Sequence, residues 1–469
     1  MKKGFFYILL VLIISKFMFF TTGCANIVPP TGGPRDSLPP RLVSVSPKDS
    51  SLNFSEKRIV FTFNEYVDVQ NSRENMIVSP TPKIDPVVEF KLRTVTVRLK
   101  DTLEANTTYS INFGNAIRDY NESNELKNFT YVFSTGNKLD NHQLSGKVLL
   151  AENGKIDTTL TVMLHRSGDD SAVIKDRPRY IAKVDRTGNY NFRNLPAGTF
   201  HLYAIKDEGG TKRYLSKSQL FAFASKPVTL TDNTVADTLY AYIESEEEPK
   251  KTSIVPTQSV KEKNNQEKRL IFQTNLEGGQ QDLLSHFEIQ FPTPLKTFDS
   301  SKLFFTDITY QAIQNYSLST DSLNKKLTLL YTWKPDSTYR IILDKDFAED
   351  STGKKILKKD TISFKVKKET DYGSLKLRFS SLNLTKNPVL QLVQNDKVIY
   401  SAPLGSNIFS VKLFKPGEYD MRILYDDNRN GKWDAGSFFG KHEQPEKVQA
   451  VNKKITVKAN WDNDSNVSL

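Results

Sequence analysis

The chain has 469 residues, one cysteine, and 65 Lys and Arg against 54 Asp and Glu. A single cysteine excludes an intramolecular disulfide and a cysteine-built zinc site, and a net charge of +11 spread over both signs is a mixed surface, not a nucleic-acid arm. Hydrophobic residues at 38% and charged residues at 25% exclude a disordered chain and a polytopic membrane protein, and 29 Phe with 19 Tyr favour strands over helices.

Lys2 and Lys3 open the chain, residues 5–14 are apolar or aromatic, and Ser15 and Lys16 interrupt a run that continues to Phe20. Thr21, Thr22, Gly23 and Cys24 follow. The apolar run is short and broken, and small residues succeed it, as in a cleaved secretory signal over residues 1–23. Residues 24–39 hold Pro29, Pro30, Gly32, Gly33 and Pro34, which cannot start a helix or a central strand; they are expected to form a tether.

Over residues 40–136, hydrophobic alternation with a period of two runs through 58–63, 94–99, 108–113 and 129–133, with turn residues between. This is the pattern of half-buried antiparallel strands in a sandwich. We label this stretch module A. Residues 137–243, module B, differ: strands are expected at 144–148, 160–164 and 187–192, and Asn194-Leu195-Pro196-Ala197-Gly198 leads into a strand at 201–205. Residues 244–268 read as a charged linker, starting at Glu244, Glu246, Glu247 and Glu248 and poor in apolar side chains. Both patterns then return. Thr338-Tyr339-Arg340-Ile341 echoes Thr108-Tyr109-Ser110-Ile111, and Asp350 falls in a loop as Asp119 does, so residues 269–368 form module A′. Gly417-Glu418-Tyr419 echoes Gly198-Thr199-Phe200, so residues 369–469 form module B′. The expected fold is all-β, a series of tandem antiparallel β-sandwiches, and the repeat of two unlike modules suggests a duplicated rod.

Catalytic chemistry has little to stand on. His142, His165, His201, His286 and His442 form no His-Glu-x-x-His motif, and no Gly-x-Ser-x-Gly elbow or Gly-Lys-Ser/Thr phosphate loop occurs. The chain is read as a non-enzyme without an obligate cofactor. One constellation stands out: Asp426, Asn428, Asn430 and Asp434, with Gly431 at position six, present oxygen ligands at the spacing of a calcium loop. Ser437 replaces the glutamate that position twelve of an EF-hand requires, so either a looser Ca²⁺ loop or a polar hairpin turn above Trp433 fits. The lysines at 354, 355, 358, 359, 365, 367 and 368 either face an anionic surface or guard sandwich edges. Aromatic interleaving of the kind nucleic acid needs is absent.

Several motifs carry resemblances. Thr21 to Cys24 resembles a bacterial lipobox with Thr21 where leucine is usual, which implies lipidation of Cys24 and membrane attachment through that lipid. Residues 39–43, 61–68, 103–111 and 133–136 resemble the SbsA-type bacterial Ig-like domain known from S-layer proteins; the likeness is good over 40–136 and weak over 269–368. Residues 30–36 are similar to a group of Bacteroidetes lipoproteins, and the B modules resemble transthyretin-like or carboxypeptidase-regulatory-like sandwiches. Such domains are accessory modules with no catalytic residues to carry over. No acidic residue follows Cys24 within residues 25–28, which leans toward the periplasmic face of the outer membrane. Asp-Ser/Thr-apolar sites resemble Bacteroidetes glycosylation sites, with Ser37, Thr102, Thr158, Thr238, Ser322 and Thr361 as candidate hydroxyls. The implied function is a binding or scaffold lipoprotein of the cell envelope, an accessory of an envelope assembly complex with envelope proteins as partners. The alternative is a glycan-binding surface lipoprotein.

Overall fold

The alternation read from the sequence decides which side chains enter the cores. In Arg58–Phe63, Ile59, Phe61 and Phe63 are buried while Arg58 is exposed. The strand pairs with Thr94–Arg98 so that Phe61 sits opposite Val95 and Ile59 opposite Val97, which puts the apolar set on one face. The computed structural model describes residues 35–231, 233–244 and 269–469. The signal segment, Cys24 and linker residues 245–268 lie outside them. Among the described residues no helix is long and apolar enough to cross a membrane, which says nothing of a β-barrel.

Two units divide the chain, residues 1–140 and 141–469. The first holds module A. One sheet runs in the order Leu42–Ser46, Arg58–Phe63, Thr94–Arg98, Val87–Lys91; a second runs Ile77–Ser79, Thr108–Asn112, Thr130–Ser134; and Val67–Val69 pairs with Ile117–Asp119. Phe61 meets Phe113 and Tyr131 edge-on at 5.4 Å, the geometry that ring quadrupoles favour. Module A′ has the same strand order: Gln273–Thr274, Phe287–Gln290, Lys326–Leu330, Ser317–Thr320 in one sheet, Leu303–Asp307, Thr338–Leu343, Asp360–Val366 with Gln280–Gln281 in the other, and a Leu295–Phe298 and Ala348–Asp350 pair. Trp333 lies in its core and donates Nε1–H to the Ser285 carbonyl at 2.8 Å.

The aspartates common to both copies, expected in loops, end short paired strands and cap the turns that follow. Asp119 is buried and accepts from the backbone N–H groups of Glu122, Ser123 and Asn124 at 2.6–2.9 Å. Asp350, also buried, accepts from the N–H groups of Thr352 and Lys354, both at 2.9 Å, and from the Thr293 and Thr352 hydroxyls. Burial pushes the Asp350 carboxyl up, but these donors outweigh it and hold it at about 2.

Module B sets Tyr180–Lys183, Leu160–His165, Gly198–Lys206 and Phe221–Phe223 in one sheet and Asn189–Leu195, His142–Leu150 and Thr234–Val235 in the other. Module B′ repeats this with Lys397–Pro403, Pro388–Gln394, Gly417–Tyr425, Lys447–Val457 facing Ile408–Phe414, Gly373–Ser380, Asp462–Ser468. In each, the first strand pairs in parallel with strands from the module's end: His142–Leu150 with Thr234–Val235 and Leu239–Ala241, and Gly373–Ser380 with Asp462–Ser468. Gly198 and Gly417 open equivalent strands at φ +148° and +155°, where a Cβ would be strained.

Two boundaries and the arrangement of the modules differ from the sequence reading. Residues 35–39 are held to module A: the Arg35 guanidinium donates to the Glu122 carbonyl at 3.4 Å and Asn124 Nδ2 to the Asp36 carbonyl at 3.1 Å. Glu244 is part of a packed junction and not of the linker, since its buried carboxylate accepts from Lys217 at 2.6 Å and Ser437 at 3.1 Å. A rod of successive beads is also not what forms in the second unit, because modules B and B′ pack directly on each other.

Candidate functional site at the junction of the two B modules

Tyr425 and Lys447 are the last paired residues of one hairpin, so residues 426–446 form its loop. All four predicted ligands lie there and are drawn together. Asp426, only 2% exposed, accepts from Asn430 N at 3.2 Å and Gly431 N at 2.7 Å. Asn428 Oδ1 accepts from Asn430 N at 3.0 Å, and Asn430 Oδ1 from Lys432 N at 2.7 Å. The amide nitrogens of Asn428 and Asn430 both donate to Asp434 Oδ2 at 2.6 Å. The loop therefore closes by side-chain-to-backbone turns of its own. Among the described residues no group of three or more His, Cys, Asp or Glu is set to hold a metal ion. For a cation to enter, the two amides must rotate so that their oxygens replace their nitrogens.

The sequence reading missed Glu446. It is 6% exposed and accepts from Asp427 N at 2.8 Å and Asp434 N at 3.0 Å, tying both ends of the loop together. Burial raises its carboxyl above the usual range, with Asp426 and Asp434 adding to the rise and the two N–H donors opposing it. Its only signal was a charged residue after Gln444-Pro445, outside the Asp-x-Asn-x-Asn-Gly window. Trp433 packs beneath the loop, as expected of a hairpin turn, and donates Nε1–H to the Glu446 carbonyl at 2.8 Å.

The same loop projects Phe438 into module B. The ring is buried and lies 5.1 Å from Phe223, 5.2 Å from Phe221 and 5.8 Å from Tyr203. Polar contacts flank it: Gln444 Nε2 donates to the Phe223 carbonyl at 3.0 Å, His442 bonds Asp170 at 2.8 Å, and Lys447 lies 4.6 Å over the Tyr240 ring. Backbones also meet, with Val448 N donating to the Ala151 carbonyl at 3.0 Å. At Gly154, φ is +68° and a Cβ would come within 2.9 Å of Ala450 N and Val448 O, so only glycine permits this approach. Module B′ is joined to A′ as well. Tyr372 donates its hydroxyl to Asp282 at 3.0 Å, and Lys415 reaches Glu277 at 2.7 Å.

The remaining candidates are dispersed. Ser37, Thr102, Thr158, Ser322 and Thr361 are exposed and Thr238 is half-buried; Thr361 lies inside a paired strand, whereas the other five are outside strands. His165 is buried against Tyr203, and burial lowers its imidazole to about 4. Of the A′ lysines, Lys355, Lys365 and Lys367 pair with Glu349, Asp336 and Glu277 at 3.2, 2.6 and 2.8 Å. Trp461 is exposed, with Lys458 Nζ 4.8 Å above its ring.

No curated protein matches the chain. Among solved structures, the Bacillus anthracis TIE protein is similar over 93% of this chain and 75% of that one, at 11% identity and a TM-score of 0.17. BcpA, the major pilin subunit of Bacillus cereus, is similar over 71% of this chain and 99% of that one, at 10% identity and 0.16. An L,D-transpeptidase from Mycobacterium smegmatis is similar at 12% identity and 0.16; the match covers 35% of this chain and 60% of the transpeptidase. Residues 36–135 match the family of the bacterial Ig-like domain. Module A is a bacterial Ig-like domain, set at the head of a chain of β-sandwiches.

Proposed function

We propose that the chain is a non-catalytic lipoprotein of the cell envelope, anchored through Cys24 to the outer membrane with its modules on the periplasmic side, where it acts as a binding or scaffold component. The observation that carries this reading is where the buried carboxylates go. Asp119, Asp350, Asp426 and Glu446 all accept from backbone N–H groups of the adjoining turn or loop, so their charge stabilises local backbone shape. A chain built this way presents fixed loops and strand edges to a partner. The B modules serve in this reading as transthyretin-like spacers, and the exposed Asp-Ser/Thr hydroxyls as glycan acceptors. Crosslinking in intact envelopes followed by purification tests it: co-purification of a defined envelope protein is expected, and recovery of none counts against an interaction role.

The anchor makes its own prediction. The native chain is expected to partition into the detergent phase and the Cys24→Ala chain into the aqueous phase; unchanged partitioning would refute lipidation. For the 426–434 loop we propose a weak calcium site, supported by the drawing together of Asp426, Asn428, Asn430 and Asp434 in one turn. Calcium is then expected to raise the melting temperature, and Asp426→Ala to abolish that rise. An equal calcium response in the variant would place the ion elsewhere.

A glycan-binding reading draws on Trp461, the one exposed tryptophan, beside a shallow cleft lined by Asp462, Asn463 and Asp464. Binding to soluble glycans that Trp461→Ala removes would favour it.

A further inference from the structure

Modules A and A′ share a strand order, so hydrogen-bonded positions of one have counterparts in the other, fixed by equivalent backbone bonds. Val67 N donates to the Leu92 carbonyl as Leu295 N does to that of Asn324; Tyr120 N donates to the Tyr66 carbonyl as Ser351 N does to that of Pro294. The pairings Phe61↔Val95 and Phe90↔Val95 correspond to Ile289↔Leu327 and Thr320↔Leu327. Tyr66, Phe90, Leu92 and Tyr120 of module A are thus Pro294, Thr320, Asn324 and Ser351 in A′. In module A these side chains are 50%, 46%, 62% and 68% exposed. Most of this apolar set is absent from the copy, although the longer A′ turn carries an exposed Leu323.

Leu92 makes the contrast sharper. It sits at the tip of a hairpin at φ +55°, and its counterpart Asn324 sits at +50°. Asparagine suits the left-handed region and leucine does not, so an exposed leucine there is poor for folding and points to use by something outside the fold. Lys91 and Arg93 flank it, and the Arg93 guanidinium lies 5.6 Å over the Tyr66 ring. A cation-flanked aliphatic tip beside two tyrosines is the composition that settles at a membrane–water interface.

The tether ends at this same face. Arg35 and Asp36 are held by Glu122 and Asn124, next to Tyr120. Ten residues, 25–34, separate Cys24 from Arg35, and fully extended they span at most about 35 Å. We infer that this end of module A is a lipid-facing foot, in which Tyr66, Leu92 and Tyr120 enter the headgroup region of the membrane that Cys24 is tethered to. The inference rests on the lipid-anchor reading. Arg35, Arg41, Lys91 and Arg93 stand against Asp36, Glu65 and Glu122, a surplus of a single positive charge, so apolar insertion, not net charge, holds the foot down.

Hydroxyl-radical footprinting of the full lipidated chain floated on phosphatidylethanolamine–phosphatidylglycerol vesicles, against the Cys24→Ala chain in solution, tests it. Oxidation of Tyr66, Leu92 and Tyr120 is expected to fall at least about threefold, since side chains sunk at the interface leave the aqueous phase. Tyr310 and Leu323 of A′, equally exposed, should not change. The double variant Leu92→Asn, Tyr120→Ser, which installs the A′ residues, should lose the protection of Tyr66 while still floating. A chain that floats with unchanged oxidation overturns the foot and leaves the anchor standing; a chain that does not float overturns both. Protection in concentrated Cys24→Ala without vesicles would assign the face to a second copy and overturn the foot.

Discussion

Phe438→Ala is expected to lower the unfolding free energy of the second unit by about 3–5 kcal/mol, the range for losing a fully buried aromatic side chain. The ring enters module B from a loop of B′ and touches Phe221, Phe223 and Tyr203, whose strands are fixed in ladders and cannot close over the void. The cavity therefore stays, and its cost adds to the lost transfer energy. The truncation also removes the wedge through which the two B modules unfold together, so their transitions should separate. Urea unfolding followed by the fluorescence of Trp433, which packs at this junction, reads both effects. A loss under about 1 kcal/mol with a single transition would show that Phe438 does not hold the junction.

The second large effect belongs to Asp350. Asp350→Ala strands the Thr352 and Lys354 N–H groups and two hydroxyls, and a cost of about 2–3 kcal/mol is expected at neutral pH. The sign with pH follows from the shift. Its folded value of about 2 lies below the ordinary 3.8, so its contribution, about 2 kcal/mol, is complete above about pH 4 and fades as pH falls toward 2. Wild type and variant should converge in stability over that acid window. Asp119 is shifted the same way, burial opposing and backbone N–H groups prevailing, so module A should lose stability in acid too. A gap between wild type and Asp350→Ala that stays constant down to pH 2 would contradict the account.

Much of the sandwich architecture was legible because burial and alternation are the same fact. Phe61 and Ile341 could only face inward once their strands alternated, and both are fully buried. The equivalence of Asp119 and Asp350 was visible, but not that each ends a short paired strand and caps the turn after it, since a capping carboxylate and one that lies in solvent look alike in one dimension. Parallel closure of the B modules was also hidden: alternation sets a strand's faces, not its direction relative to a distant partner. The B–B′ junction left no periodic trace, because it is made by Phe438 in a loop, Gly154 in a turn and Glu446 outside any motif. Within the calcium-like loop the pattern named residues that lie together, but not that Asp426 and Asp434 already accept hydrogen bonds from the loop itself.

The direct docking of B on B′ has a mechanical consequence. Module A′ lies between them in the chain, yet tension applied between the two ends of the protein can pass from B to B′ across the Phe438 junction without traversing A′. The junction is a bypass, and A′ is a slack branch that stretches only after the bypass shears. Under pulling, the chain should give first at an aromatic wedge and release a folded, unstrained sandwich, so that extension arrives as a step of stored length before any module unfolds.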